Sequence, residues 1–131
     1  MSAIPGYIRI VSKRKGGIGP VAGELVIDVD RTHPVLGNRH VLKNHNDPVE
    51  RDRVIAAYEV DFNRDMAERG PMYQACLELA KLLLAGKRIA LRCWCAPRRC
   101  HAEIIRAQVY RLAGLPLPPQ EELVSNQGAL F

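Results

Sequence analysis

The chain has 131 residues, enough for one domain with a single core, and its 47% hydrophobic and 25% charged residues are ordinary for a globular protein. No apolar run reaches the ~18 residues that a transmembrane helix needs, so we expect no membrane span. A formal net charge of +5 favours acidic partners, such as a nucleotide or a nucleic acid, without deciding between them.

The N-terminal part of the sequence predicts two short strands. Segments 7–12 (YIRIVS) and 24–29 (ELVIDV) are rich in β-branched residues, and the Gly-rich segment 13–23 separates them. We expect these strands to form a hairpin whose basic loop is solvated. Residues 30–46 are dense in Pro, Gly, Asn and His, so we expect irregular structure there.

A long helix is predicted to begin after Asp47. This residue can accept backbone N–H groups as the N-cap, Pro48 suits the first helical position, and Glu50 completes a capping-box pattern. Gly70 and Pro71 are predicted to end the helix. Apolar side chains recur at every fourth position and form one stripe: Val54, Tyr58, Phe62 and Met66.

The C-terminal half predicts a helix over 72–85, a strand over 87–95 and a helix over 99–113. Alternation along the strand divides its side chains between two faces. One face carries Ile89, Leu91, Cys93 and Cys95, and the other carries Ala90, Arg92 and Trp94.

The element order β-β-α-α-β-α predicts a small single-domain α/β layered fold over residues 1–114. We expect a short sheet covered by about three helices, similar to a fragment of a Rossmann fold. Residues 115–131 are interrupted by Pro and are expected to form a loosely docked tail.

Segment 93–101 (CWCAPRRCH) places three of the four cysteines and one of the four histidines within nine positions. The N-terminus carries its basic residues after an apolar stretch, the reverse of a secretory signal, so we expect a cytoplasmic protein. Clustered cysteines in that compartment indicate metal binding or reactivity more often than disulfides. Cys93 and Cys95 share a strand face, and Cys100 with His101 can complete a Cys₃His zinc site. The CxC spacing departs from the usual CxxC.

A reactive thiol is the second interpretation of this segment. Cys100 lies at the predicted N-terminus of the last helix, directly after Arg98 and Arg99. The helix dipole and the two cations lower the pKa of such a thiol. His101 is then its proton-transfer partner, and Cys95 is available as a resolving thiol.

Anion binding is the third interpretation. A strand, a short loop and a helix N-terminus form a common phosphate site in α/β domains, and Arg98 and Arg99 add charge-assisted hydrogen bonds. No GxGxxG or Walker motif occurs, so a nucleotide is inferred from charge and architecture alone. Nucleic acid has weaker support, because 5% aromatic residues offer little surface for base stacking.

The fourth interpretation is structural. Buried cysteines behave as small hydrophobic residues and a lone tryptophan usually packs, so we expect Trp94 and Cys76 in the core. Cys76 is alternatively a fourth sulfur ligand of an iron–sulfur cluster. Three further histidines fall in one predicted loop, where solvated surface is expected more often than metal ligation: His33, His40 and His45.

The sequence of residues 86–105 (GKRIALRCWCAPRRCHAEII) resembles the closing motif of a bacterial and phage family called Domain of Unknown Function 4326. Its members carry Gly-Lys, an apolar strand, Cys-Trp-Cys, a Pro and a Cys-His that leads into a helix. Arg39 and His40 stand where the family usually has Pro-Phe. The similarity spans roughly residues 29–112 and includes four upstream positions: Arg31, Gly37, Asn38 and Tyr58.

The resemblance implies a small α/β domain with a site formed by Arg31, Gly37, Asn38 and the Cys/His segment. The occurrence of the family in phages and prophages implies a role in nucleotide or nucleic-acid metabolism, or in host interaction.

Together, these patterns predict a site between the 30–40 loop and segment 93–101. Its metal, zinc in the first interpretation, is held by Cys93, Cys95, Cys100 and His101. Its anionic ligand is received by Arg31, Gly37, Asn38, Arg98 and Arg99. If the protein is an enzyme, Cys100 is the nucleophile and His101 its partner. The alternative is a non-catalytic binding module that modulates a host protein or a nucleic acid and whose cysteines are structural.

Overall fold

The structure is a computed structural model that describes residues 6–13, 18–30, 32–38, 40, 47–94 and 101–119. It confirms the predicted small α/β fold, with three helices and a three-stranded sheet. None of the helices in these ranges is long and apolar enough to cross a membrane. The elements in chain order are β1 (Tyr7–Ser12), β2 (Leu25–Asp28), α1 (Pro48–Glu68), α2 (Pro71–Leu84), β3 (Arg88–Cys93) and α3 (Ala102–Ala113).

The three strands are all parallel and lie in the order β1–β3–β2. Ile89 of β3 pairs with Ile8 of β1 on one side and with Leu25 of β2 on the other. The predicted hairpin is therefore wrong, because β1 and β2 pair with β3 and not with each other. The physical reason is the apolar run at the centre of β3, which is fully buried only when a strand lies on each side of it.

The helices cover one face of the sheet and enclose the core. The predicted stripe of α1 is confirmed, because three of its four side chains are buried and Met66 packs partly against the core. Asp47 caps α1 by accepting the N–H groups of Val49 (3.0 Å) and Glu50 (3.3 Å). α1 ends at Glu68, before a left-handed Arg69, so it stops ahead of Gly70 and Pro71 as predicted. These two residues are also the N-cap and the first residue of α2.

The connection between β1 and β2 covers the opposite face of the sheet. A buried ion pair between Arg9 of β1 and Glu24 of the connection holds it there. Arg9 donates to both carboxylate oxygens of Glu24 at 2.6 and 2.8 Å, and the two side chains are 1% and 0% exposed. Tyr7 and the Val21 N–H also donate to Glu24. Burial alone would raise the pKa of Glu24, but these hydrogen bonds outweigh it and hold the pKa below its ordinary value.

Side chains of α3 form hydrogen bonds with backbone groups on the outer edge of β1. Arg106 donates to the Ile8 carbonyl at 2.6 Å, and the Ile8 N–H donates to the Tyr110 hydroxyl at 2.9 Å. A second nitrogen of Arg106 donates to the Pro118 carbonyl at 2.6 Å. The same arginine therefore fixes the β1 edge and attaches the start of the C-terminal tail to α3.

Replacing Glu24 should destabilise the fold strongly. Glu24→Gln leaves the Arg9 guanidinium buried without its counter-charge, so we expect the free energy of unfolding in urea to fall by about 3 kcal/mol. The exposed pair Lys81–Glu78 supplies the control, because Glu78→Gln removes an ion pair that water already screens. The double variant Arg9→Met/Glu24→Gln should recover much of the loss, because it removes the uncompensated charge and keeps an amide oxygen that can accept from Tyr7 and Val21. A double variant that is as unstable as Glu24→Gln would contradict the buried-charge explanation.

Candidate functional site

The carboxyl ends of all three strands meet at one end of the sheet, hereafter the carboxyl end. Ser12 pairs with Cys93, and Asp28 pairs with Arg92. The backbone N–H of Lys13 continues the pairing with a hydrogen bond to the Cys93 carbonyl at 2.9 Å. Open α/β sheets bind their ligands outside this end of the strands, so it is the first place to seek a site.

Four charged side chains form a network at the carboxyl end. Lys13 Nζ lies 2.6 Å from Asp30 Oδ2 and 3.7 Å from Asp28 Oδ1. Arg92 donates to both oxygens of Asp28, at 2.6 and 3.1 Å. Two cations thus balance two carboxylates. Lys13 was predicted in a solvated loop, but its amine is held between two carboxylates and its side chain is only 19% exposed.

The network keeps its carboxylates ionised. Burial raises the pKa of Asp30, but donation from Lys13 and Thr32 outweighs burial and lowers it to about 2. The hydrogen bond from Arg92 is the main cause of the lowered pKa of Asp28. Both carboxyl groups therefore favour the ionised form near neutral pH.

Trp94 is exposed beside this network, so the prediction that it packs in the core is wrong. Its side chain is 56% exposed, and Lys13 Nζ lies 5.9 Å from its ring centroid. Strand alternation turns Trp94 away from the core face that Cys93 occupies. The pairing of β3 ends at Cys93, so within the described ranges no strand residue pairs opposite Trp94.

His101 joins the start of α3 to the end of β2. Its buried ring lies 4.9 Å from the Tyr58 ring, and Nε2 lies 2.5 Å from the Val29 carbonyl oxygen. A carbonyl only accepts hydrogen bonds, so Nε2 is the donor in this contact. Tyr58 in turn donates to the Leu36 carbonyl at 2.9 Å. These contacts bring the 30–40 loop and His101 together.

His33 holds the 30–40 loop in shape. Its ring Nδ1 accepts the backbone N–H groups of Val35 (3.1 Å) and Leu36 (2.8 Å). The backbone N–H of His33 donates to the Asp30 carbonyl. Burial lowers the pKa of His33. This histidine is half-buried and structural, contrary to the expectation of a solvated surface residue, whereas His40 is exposed in an ion pair with Asp61.

A cleft of about 410 Å³ lies between the 30–40 loop and the helices. Gly37 lines it, whereas Asn38 accepts the His40 N–H through Oδ1 at 2.9 Å. The N-terminus of α2 reaches this cleft, but Asp65 Oδ1 already accepts the Tyr73 N–H there at 2.7 Å. A carboxylate of the chain itself thus fills the position that an anionic ligand would take at this helix.

Cys93 lies in the core with 1% exposure, on the strand face that alternation predicts. Five predicted site residues fall outside the described ranges, and their roles stay predictions: Arg31, Cys95, Arg98, Arg99 and Cys100. Among the described residues, no group of three or more His, Cys, Asp or Glu side chains can hold a metal ion. The predicted hairpin places Lys13 and Asp30 at opposite ends of the sheet. They are neighbours because β1 and β2 run in the same direction and each residue lies within two positions of a strand end.

The fold and the carboxyl end define a small α/β domain with a parallel three-stranded sheet, a charged network and a buried histidine at the strand ends. The chain belongs to the family described as Domain of unknown function (DUF4326), whose model matches residues 11–111. The matched range includes the network, Trp94 and His101. No curated protein and no solved structure matches the chain.

Acidification should loosen the 30–40 loop through His33. Its folded pKa lies below the unfolded value of 6.5, so its stabilising contribution is complete above pH 6.5 and is lost as the pH falls through the folded pKa. His33→Asn keeps an acceptor that cannot titrate, so the free energy of unfolding should fall less between pH 7.5 and 5.5 than in the unaltered chain. An unchanged pH dependence in His33→Asn would refute this role.

Proposed function

We propose that this chain binds a nucleotide-type anion at the carboxyl end of its sheet, beside a zinc site formed by Cys93, Cys95, Cys100 and His101. The observation that carries the proposal is the hydrogen bond from His101 Nε2 to the Val29 carbonyl. Histidines that bind metals commonly donate their second ring N–H to a carbonyl or a carboxylate, which fixes the tautomer. In this proposal, Nδ1 is the ligand nitrogen of His101.

The position of Cys93 supports zinc as the metal. Its side chain lies at the end of the central strand, and a buried thiol becomes a thiolate only where a cation lies beside it. A divalent cation supplies that partner and deprotonates the thiol outright. Cys95 follows two residues later and, if the strand alternation continues, faces the same way.

The anion in this proposal is held by arginines that follow the strands in the sequence. Lys13 and Arg92 are already paired with carboxylates, so the charge for a phosphate comes from three other residues: Arg31, Arg98 and Arg99. Arg31 directly follows Asp30, and the other two lie between β3 and α3. Arginine suits this role because its planar guanidinium binds a phosphate through two parallel hydrogen bonds.

The tautomer of His101 also suits a thiolate version of the same site. With Nε2 held by a carbonyl, Nδ1 can accept the proton of a thiol, and Cys100 is the nucleophile in that version. A cytoplasmic location, a phage or prophage origin and a role in nucleotide metabolism belong to the same proposal.

A second candidate is a non-catalytic module that binds a host protein or a nucleic acid and whose cysteines are structural. The burial of Cys93 among core side chains favours it, because a buried cysteine packs as a small hydrophobic residue without a metal. The balanced charges of the network also fit a non-catalytic module, since its ion pairs can stabilise the fold without a bound ligand.

Metal content separates these candidates. We expect mass spectrometry of the untagged chain, purified with reductant and without chelator, to find about one zinc ion per molecule, as a single tetrahedral site requires. The variant Cys95→Ser/Cys100→Ser should lose the zinc while the buried Cys93 remains in the core. Cys76→Ala removes a buried thiol of α2 and should keep the zinc. Absence of zinc from the unaltered chain would contradict the zinc version.

In metal-free protein, iodoacetamide labelling then tests the thiolate version. Burial and the nearby Asp65 raise the pKa of Cys76 to about 12, so this thiol is the slow internal reference. Labelling of Cys100 well before Cys76, mapped by peptide mass, supports a reactive thiolate. Equally slow labelling at both positions rejects it and favours the binding module.

A further inference from the structure

We propose that Trp94 is the surface on which the base of a mononucleotide stacks at the carboxyl end of the sheet. This inference rests on the proposed function, which assigns the phosphate to the same end. It assigns a binding surface to the base of the ligand, whereas the arginines of the proposed function bind only its phosphate. The contact is a planar ring laid against the exposed indole.

The position of Trp94 distinguishes it from the other exposed apolar side chains. Trp94 is the aromatic member of this set and directly follows the central strand of a parallel sheet. The other members are all aliphatic: Ile18, Leu25, Val49, Val60, Leu84, Leu115 and Leu117. An aromatic ring offers a large flat surface that stays in contact with water unless a partner covers it. Tryptophan is also among the residues most enriched at the centre of binding surfaces.

The charged network fixes the surroundings of the indole. Lys13 lies over the ring at 5.9 Å and is itself held by Asp30 at 2.6 Å. Such a cation is attracted to the ring electrostatically and restrains its orientation. A restrained ring loses less freedom when a ligand stacks on it, so the network prepares the surface for binding.

Donors and acceptors lie next to the ring, as recognition of a base requires. Lys13 lies over the Trp94 ring and 3.7 Å from Asp28, and Asp28 in turn pairs with Arg92, so the indole and this ion pair share one neighbour. Arg92 and its partner Asp28 are each 34% exposed. A base stacked on Trp94 can thus place its polar edge near a guanidinium and a carboxylate.

The structure favours one base rather than a strand of nucleic acid. Proteins that bind single strands align several aromatic side chains along a groove, one for each stacked base. Of the other aromatic residues joined to this end of the fold, Tyr58 and Phe62 are buried in the core. Within the described ranges, the carboxyl end therefore offers a single stacking surface, which is what a mononucleotide needs.

Tryptophan fluorescence of the full chain provides the test, because Trp94 is the only tryptophan. The probes are AMP, GMP, CMP and UMP, with ribose 5-phosphate as the matched compound that lacks a base. We expect the best monophosphate to quench the emission and to bind about tenfold more tightly than ribose 5-phosphate in calorimetry. Trp94→Leu should abolish that difference without changing the affinity for ribose 5-phosphate. Val60→Ala, an exposed control on α1, should change neither affinity.

The outcomes separate this inference from the proposed function. Equal affinities for ribose 5-phosphate and all four nucleotides, or a preference that survives Trp94→Leu, would overturn the stacking role and leave the anion site intact. Failure of every probe to bind would contradict the proposed function as well. Oligothymidylate that binds more tightly than any monophosphate, with a steep salt dependence, would overturn the mononucleotide in favour of a nucleic acid.

Discussion

Parallel pairing of β1 and β2 on the two sides of β3 is the constraint on which the rest of the structure depends. It buries the apolar centre of β3 from both edges, with helices on one face and the Arg9–Glu24 ion pair on the other. It also sends all three strands toward the same end. The charged network, the exposed indole and the buried histidine are neighbours only because of that shared direction.

His101 connects this sheet to the loop that follows β2. Its bond to the Val29 carbonyl and its contact with Tyr58 make one continuous chain of interactions from α3 to the 30–40 loop. The hydrogen bond that holds the start of α3 against the end of β2 also places a proton on Nε2 of the ring.

The sequence predicted features that depend on local patterns and failed where long-range pairing decides. The stripe and cap of α1 were confirmed, because 3.6-residue periodicity and Asp47 act within one helix. The hairpin was wrong, since β-branched runs show that strands exist and not which strands pair. The burial of Trp94 was wrong for a related reason, because composition does not show where the pairing of β3 ends. Cys95 and Cys100 lie beyond the described residues, so their part of the site stays a prediction.

The most direct test of the central claim is an NMR titration of the uniformly ¹⁵N-labelled full chain with pyrophosphate. A site at the carboxyl end predicts that amide shifts concentrate at Lys13, Asp30 and Trp94, which follow the three strands. The amide chemical shifts of Gly6 and Arg88, at the opposite end of the sheet, should not change. Shifts that concentrate around Gly6 and Arg88, or no shifts at saturating pyrophosphate, would contradict an anion site at the carboxyl end.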